Sequence, residues 1–187
     1  MPAPREFVSR AGQKLDHALS HFALDVSGKT AADLGSNTGG FVDVLLQRGA
    51  AKVYAVDTGY GVLDWKLRKD PRVVVMERTN AMHVALPEKV GVVTIDVAWT
   101  KQKHILPPAR ALLAADGFCV TLIKPHYEAA AAQLKKGVLP EDLVAQVVEG
   151  VRRDVYDAGF DLVGTVDSPI KGAKGNVEVL ALLRPRA

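Results

Sequence analysis

The stretch that decides the fold covers residues 33–41 and reads Asp33-Leu34-Gly35-Ser36-Asn37-Thr38-Gly39-Gly40-Phe41. It follows a short apolar run at residues 29–34 and precedes a helical pattern at residues 39–47. A glycine-rich turn between a strand and a helix lets a ligand approach the backbone, and the free N–H groups of the helix N-terminus favour an anionic group. The stretch therefore predicts an α/β protein with a ligand site at this turn.

The spacing of the turn indicates which ligand it binds. Its glycines follow the pattern Gly35-x-x-x-Gly39-Gly40, which differs from the dinucleotide fingerprint G-x-G-x-x-G. The preceding acid, Asp33, suits an ammonium group better than a pyrophosphate. S-adenosylmethionine carries an ammonium and a carboxylate at its amino-acid end, so it is the predicted cofactor. Asp57 ends the second predicted strand and can accept hydrogen bonds from ribose hydroxyls. The alternative is that the glycines only make a tight turn and the acids cap helices.

The rest of the chain alternates between strand-like and helix-like segments, which indicates βαβ units around a parallel sheet. The expected strands are residues 29–34, 51–56, 72–76, 91–95, 118–123, 160–165 and 176–183, and the expected helices are 9–22, 39–47, 105–115 and 141–158. The connection 167–175 is too short for a crossover helix, so the last two strands are expected to be antiparallel. We predict an α/β fold of the Rossmann-like class I methyltransferase type, a mostly parallel seven-stranded sheet with a late antiparallel strand.

Local signals set the expected ends of three elements. Ser9 is expected to be the N-cap of the first helix. Pro107 and Pro108 are expected in the first turn of the helix at 105–115. Asp116-Gly117 is expected to form a turn before the fifth strand.

Composition sets the broad class. The chain has 187 residues, 48% hydrophobic and 24% charged, with a net charge of +3. This predicts one globular methyltransferase domain over 1–187, in which 1–28 form an N-terminal helical extension. The single cysteine, Cys119, excludes an intrachain disulfide, and the histidines show no metal-ligand pattern, so no metal is expected. The sequence has neither a secretory pattern at its start nor a membrane-length apolar run, which predicts a cytoplasmic protein with no membrane partner.

Four charged residues stand on or beside apolar faces. Asp96 and Lys124 each follow an apolar strand, at the sheet edge where doubly wound folds bind ligands. Glu178 interrupts the last strand, and Lys14 borders the apolar face of the first helix. Unpaired buried charges are costly, so we expect the four to meet one another. A purely structural ion-pair cluster, or lysines that extend separately to solvent, is the alternative.

The sequence from Val8 onwards resembles the FtsJ-like 2′-O-ribose methyltransferases, and most closely their hemolysin-A branch of rRNA methyltransferases. The segments that carry the resemblance are 8–15, 33–41, 46–61, 77–80, 124–128, 168–170 and 175–178. The last of these reads Gly175-Asn176-Val177-Glu178. Together they span nearly the whole chain in the family's order.

The resemblance implies a Lys-Asp-Lys-Glu catalytic tetrad at Lys14, Asp96, Lys124 and Glu178. These are the four charged residues singled out above. It also implies S-adenosylmethionine in the glycine turn, with Asp57 near its ribose and Asn80 near its adenine. The predicted cofactor-binding residues are Asp33, Gly35, Ser36, Asn37, Thr38, Gly39, Gly40, Phe41, Asp57, Asn80 and Asp96. A ribose hydroxyl needs a base to attack a methyl group, and Lys124 is the candidate base.

Two features depart from the family's pattern. The hemolysin-A branch usually carries a small S4-type RNA-binding domain before this region, and we expect none here because the sequence before Val8 is too short for one. The family also tends to have Ser-Phe shortly after the catalytic aspartate, where this chain has Val97-Ala98-Trp99-Thr100. We therefore expect the wall beside the reacting centre to differ.

The predicted function is S-adenosylmethionine-dependent 2′-O-ribose methylation of RNA, with rRNA or a ribosomal subunit as the expected partner. Candidate phosphate contacts are Arg5, Arg10, Lys66, Arg68 and Lys69. Trp65 and Trp99 are candidates for base stacking, although tryptophans often only pack. Two alternatives stay open: a small-molecule methyltransferase, and a non-catalytic module that keeps the cofactor site.

Overall fold

A seven-stranded sheet forms the centre of the structure, a computed structural model that describes residues 6–186. Its strands are β1 (Thr30–Leu34), β2 (Lys52–Val56), β3 (Val73–Met76), β4 (Val90–Ile95), β5 (Leu113–Ile123), β6 (Phe160–Asp167) and β7 (Val179–Pro185). Their order is β3-β2-β1-β4-β5-β7-β6. The pairs from β3 to β5 are parallel, and β7 lies antiparallel to both of its neighbours. The predicted fold class is therefore confirmed.

Helices cover both faces of the sheet. They are α1 (Ala11–His21), α2 (Gly40–Gln47), α3 (Trp65–Arg68), α4 (Gln102–Leu112), α5 (Pro125–Glu128) and α6 (Glu141–Asp157). Helices α1 and α2 pack on one face, and α4 and α6 pack on the other. The short helices α3 and α5, and 3-10 turns at 81–83, 131–133 and 173–175, escaped the sequence analysis because so few residues show no period.

Strand β5 shows why a central strand is apolar throughout. Phe118 and Leu122 point into the core beneath α1 and α2, whereas Cys119 and Ile123 point into the core beneath α4 and α6. Such a strand is buried on both faces, as expected in the middle of a parallel sheet. Each large side chain contributes about 1.5–3 kcal/mol on burial. Burial also raises the pKa of the Cys119 thiol, which packs in this core.

Two predicted helix starts were wrong. Helix α1 begins at Ala11 with Arg10 in the N-cap position, and the Ser9 carbonyl, not its side chain, accepts a bond from Gly12 N–H at 3.1 Å. Helix α4 begins three residues earlier than predicted, so Pro107 and Pro108 lie inside it. These prolines remove bonds to the carbonyls of residues 103 and 104, which are exposed, so water can take their place.

The expected turn at Asp116-Gly117 was also wrong. Strand β5 runs straight from the end of α4 and includes both residues. Its register against β4 shifts between the pairs Val90–Leu113 and Val92–Phe118, so the extra residues form a bulge. The chain therefore does not reverse at Asp116-Gly117. As a separate finding, no helix in the described range 6–186 is long and apolar enough to cross a membrane.

Candidate active site

The glycine turn after β1 closes tightly against the end of β4. Gly35 has φ +88°, and a Cβ atom there would lie 2.5 Å from the carbonyl oxygen of Asp96. Only glycine accommodates both this conformation and this approach. The turn is held from the other side by Asp57, whose carboxylate accepts bonds from Asn37 N–H at 2.8 Å and Gly59 N–H at 2.7 Å. Asp57 thus ties the end of β2 to the turn.

Two adjoining cavities open at the carboxyl ends of the parallel strands. The first has a volume of about 370 Å³ and the second about 410 Å³, and they share Gly35, Asn37, Asp96 and Ala98 as lining residues. Of the predicted cofactor residues, the first cavity is lined by Asp33, Gly35, Ser36, Asn37, Thr38, Gly40, Phe41 and Asp96. The second is lined by Gly35, Asn37, Asp57, Asn80 and Asp96. Gly39 lines neither, because it packs against Leu63 and Leu67.

Asp33 is a buried carboxylate of which only one oxygen accepts a hydrogen bond from the described residues. Its Oδ1 accepts a bond from the Thr94 hydroxyl at 2.7 Å, while its buried Oδ2 has no partner in the described part of the chain. Thr94 reaches it because the two residues are register partners on β1 and β4. Burial raises the pKa of Asp33 to about 7, the charges of Asp96 and Asp57 add to that shift, and the Thr94 bond opposes it. A cationic group at Oδ2 would satisfy this carboxylate.

The four charged residues singled out in the sequence meet in the first cavity as two ion pairs. Lys14 on α1 is paired with Glu178, and both side chains are buried. Lys124 lies 2.7 Å from Asp96 Oδ1 and donates to the Val97 carbonyl at 3.0 Å. The expectation that the two lysines and two acids find one another is thus met in the structure.

The reversed direction of β7 explains why Glu178 reaches this end of the sheet. Glu178 stands immediately before β7, yet Asp96 and Lys124 stand immediately after β4 and β5. In the antiparallel register Ile123 pairs with Val179, which brings the next residues, Lys124 and Glu178, to the same edge. A parallel strand would have carried Glu178 to the opposite end.

Helix α5 adds two residues to the cavity. His126 is buried, and its Nδ1 has no partner in the described residues. Burial lowers the pKa of His126, Glu178 opposes that shift, and Lys124 adds to it. The neutral form of His126 is therefore favoured. Tyr127 also lines the cavity, and its ring centroid lies 6.5 Å from that of Trp99.

Residues predicted to contact RNA are scattered. Trp99 has 80% of its surface exposed, a φ of +57°, and a place on the rim of the second cavity. Trp65 is 67% exposed, but it lines neither cavity. The Nζ atom of Lys69 lies 4.6 Å from the centroid of the Trp65 ring. Arg68 is paired with Glu77. Of the other candidates, Arg10 lines the first cavity, Lys66 is exposed, and Arg5 lies outside the described residues.

Some lining residues were missed by the sequence analysis. They are Ser9, Ala11, Tyr127, Gly172 and Ala173 at the first cavity, and Thr94 beneath it. A signal existed for Thr94, since it is the one polar residue in the run Val92-Val93-Thr94-Ile95. Gly172 and Ala173 gave no signal because their place depends on the fold of the 167–175 loop.

This strand order, with a glycine turn at the end of β1 and a cleft across the switch point of the sheet, defines a Rossmann-like methyltransferase. Residues 7–184 match the FtsJ-like methyltransferases, and the chain belongs to that family. The resemblance seen in the sequence is thereby confirmed. Family membership implies S-adenosylmethionine as the methyl donor.

Several known proteins are similar over most of this chain. A Mycobacterium tuberculosis protein named 16S/23S rRNA (cytidine-2′-O)-methyltransferase TlyA is 42% identical over 186 residues, 96% of this chain and 69% of that protein. Hemolysin A of Brachyspira hyodysenteriae is 41% identical over 182 residues, 94% of this chain and 76% of that protein. A solved protein from Streptococcus thermophilus that carries the hemolysin name is 39% identical, with a TM-score of 0.94 over 100% of this chain and 70% of that one.

Proposed function

We propose that this protein transfers a methyl group from S-adenosylmethionine to a ribose 2′-hydroxyl of RNA, with rRNA as the substrate. One observation carries the proposal. Two lysine–carboxylate pairs, Lys14–Glu178 and Lys124–Asp96, converge in a single cavity beside the glycine turn. A merely structural ion-pair cluster would not need a cavity of about 370 Å³ in front of it. The rRNA substrate is supported by the name of the relative TlyA, and an rRNA substrate puts the reaction in the cytoplasm.

The residues present fit the cofactor. The unpartnered Oδ2 of Asp33 suits the ammonium of its amino-acid end, and the N–H groups at the start of α2 suit its carboxylate. Asp57 and Asn80 line the adjoining cavity and suit its ribose and adenine. Asn80 Oδ1 accepts a bond from Met82 N–H at 2.9 Å, which fixes the orientation of the amide and leaves its N–H groups available to a ligand.

The roles of the paired residues follow from their surroundings. When bound, S-adenosylmethionine supplies an electrophilic methyl group. We assign Lys124 as the base that accepts the proton of the ribose hydroxyl, and Asp96 and the Val97 carbonyl fix the direction of its amine. Lys14, held by Glu178, places a positive charge beside the hydroxyl and stabilises the developing oxyanion. His126 and Tyr127 wall the cavity and limit the access of water.

The test is the transfer of labelled methyl from S-adenosylmethionine to bulk rRNA. Lys124→Ala is expected to lose transfer while binding the cofactor nearly as well as the parent protein. Lys29→Ala, an exposed lysine at the other end of β1, is the matched control and is expected to retain full activity. Label in RNA that survives Lys124→Ala would refute the role of this lysine. Cofactor binding without label in any RNA would favour a small-molecule methyltransferase or a non-catalytic module.

A further inference from the structure

Two lysine–glycine turns of the same shape stand next to each other beside the first cavity. In the hairpin Lys135–Val138, backbone bonds of 2.8 Å and 3.0 Å close a tip formed by Lys136 at φ +53° and Gly137 at φ +82°. In the second turn, Lys174 at φ +56° and Gly175 at φ +82° form the tip, which Asn176 N–H closes by donating to the Ala173 carbonyl. Such tips favour Asn, Asp or Gly at the position that each lysine holds. Local backbone preference therefore does not explain why lysine stands at both tips.

Asn176 fastens the two turns together. Its side chain is buried, Oδ1 accepts a bond from Leu139 N–H at 3.0 Å, and Nδ2 donates to the carbonyls of Gly137 and Ala173, each at 3.1 Å. The Lys174 ammonium lies over the first turn, where a Cβ atom on Gly137 would stand 3.1 Å from it. The two lysines are thus carried by one braced unit and not by independent loops.

The braced unit is joined to the reacting centre. Gly172 and Ala173, which precede the second tip, line the first cavity, and Gly172 N–H donates to the Asn176 carbonyl at 2.9 Å. Asn176 stands two residues before Glu178 of the Lys14 pair. The tips are therefore tied to residues that line the cavity.

The charges on these tips are not neutralised. Lys135, Lys136 and Lys174 are exposed, and none forms an ion pair within the described range 6–186. The neighbouring Lys171 is different, since Glu141 holds it at 2.6 Å. Asp142 is the other acid at the start of α6 and is exposed. Arg10 lines the same cavity, is exposed, and has no ion pair among the described residues.

We propose that Lys136 and Lys174 bind the phosphate backbone of the substrate RNA, with Arg10 as a third contact. The inference rests on the proposed function and adds a docking surface to it. Phosphate contacts fix the position of a nucleic acid on a protein. Exposed lysines can make such contacts because their ammonium groups act as point charges. An RNA strand held by all three cations spans the cavity and presents a ribose to Lys124.

The test measures how RNA binding depends on salt. Removing one lysine–phosphate interaction makes the slope of log K against log salt shallower by about 0.7 for single-stranded RNA. The variant Lys136→Gln/Lys174→Gln is expected to flatten the slope by about 1.4, with end-labelled fragments of bulk rRNA as the probe. It should also raise KM for rRNA and leave kcat at saturating rRNA unchanged. The matched control is Lys29→Gln/Lys89→Gln, which removes two exposed charges before β1 and β4, at the opposite end of the sheet.

Three outcomes separate this inference from the proposed function. If the parent protein methylates rRNA but the two double variants have equal slopes, the docking surface is wrong and the enzyme assignment stands. If the tip variant lowers kcat or the affinity for S-adenosylmethionine with its melting temperature unchanged, the tips act on the reacting centre and the docking role is again wrong. If the parent protein binds the cofactor but neither binds nor methylates rRNA, the proposed function fails and the docking surface fails with it.

Discussion

Lys14 and Glu178 form a buried ion pair although they are 164 positions apart in the sequence. Only 9% and 4% of their side-chain surfaces are exposed. Attraction between buried charges roughly offsets the cost of removing them from water, whereas removal of one partner leaves an uncompensated charge that costs about 3–5 kcal/mol. The pair thus fixes the first helix to the last strand at the centre where we place the chemistry.

Glu178→Gln is expected to lower both stability and methyl transfer. The unfolding free energy should fall by roughly 3 kcal/mol because Lys14 then keeps a buried charge without an acid. Removal of both charges in Lys14→Met/Glu178→Leu should recover most of that loss, yet leave the protein inactive. Urea denaturation and methyl transfer to rRNA measure the two effects. An active double variant would contradict the role of this pair in the reaction.

Gly172→Ala is expected to disturb the same pair from outside it. A Cβ atom on residue 172 would collide with the Glu178 carboxylate, and Gly172 lines the cavity. We expect methyl transfer to fall at least tenfold, which corresponds to about 1.4 kcal/mol in the barrier. Gly150→Ala is the matched control, because a Cβ there meets nothing within 4 Å on an exposed face of α6. That change should preserve activity and add up to about 1 kcal/mol of stability.

The affinity for S-adenosylmethionine is expected to fall as the pH drops below neutral. The pKa of Asp33 is raised to about 7 by burial, so in the free protein this carboxyl becomes protonated as the pH falls through 7. An ammonium group binds the carboxylate and not the neutral acid, so binding is strongest above pH 7. Calorimetric titration between pH 6 and about 8 measures this change. The same affinity at both ends of that range would contradict the proposed ammonium contact.

Asp33→Asn is the companion test. When the pKa of a carboxyl is higher in the folded than in the unfolded state, its contribution to stability is lost as the pH rises through the folded-state pKa. Above pH 7 the ionised Asp33 therefore lowers the unfolding free energy of the cofactor-free protein. The shift from 3.8 to about 7 corresponds to as much as about 4 kcal/mol at pH 8. The variant should therefore melt at a higher temperature than the parent at pH 8, and bind the cofactor weakly at every pH.

Trp99→Ala is expected to raise KM for rRNA about tenfold, since stacking of one base on an aromatic ring is worth about 1–3 kcal/mol. Trp99 is exposed on the rim, with Tyr127 behind it. Trp65→Ala is the matched control, because Trp65 is also exposed but lines neither cavity. Equal KM values for the two variants would remove Trp99 from the RNA-contacting surface.

The sequence predicted those features that short-range patterns encode. The turn at residues 33–41 is a local signal, because glycines directly after a strand permit a tight turn that a ligand can approach. Apolar runs placed the ends of all seven strands to within five residues, and the short 167–175 connection predicted the antiparallel pair. The predicted boundaries were wrong where a weak local turn or helix-start signal lay within a helix or strand that in fact continues through it. The prolines inside α4 and the Asp116-Gly117 bulge in β5 are the two cases.

Charged residues beside apolar faces were visible in the sequence, but their partners were not. Lys14, Asp96, Lys124 and Glu178 could be singled out because a charge there is costly without a partner. Which lysine meets which acid was open, because two lysines and two acids allow more than one pairing. The sequence likewise did not show that one oxygen of Asp33 lacks a partner, because the hydrogen bonding of this carboxylate depends on Thr94 of another strand.

By itself, the sequence determined the seven strands, the four longer helices, the glycine turn and the identity of the charged residues, because each of these depends on neighbours a few positions away. Only the tertiary structure decided that the antiparallel strand β7 lies between β5 and β6. That insertion brings Glu178 to the edge where Lys124 ends β5, and packing of α1 brings Lys14 to meet it. The physical reason is that these contacts join residues far apart in the chain, and the free energy that selects them comes from burial in the whole core.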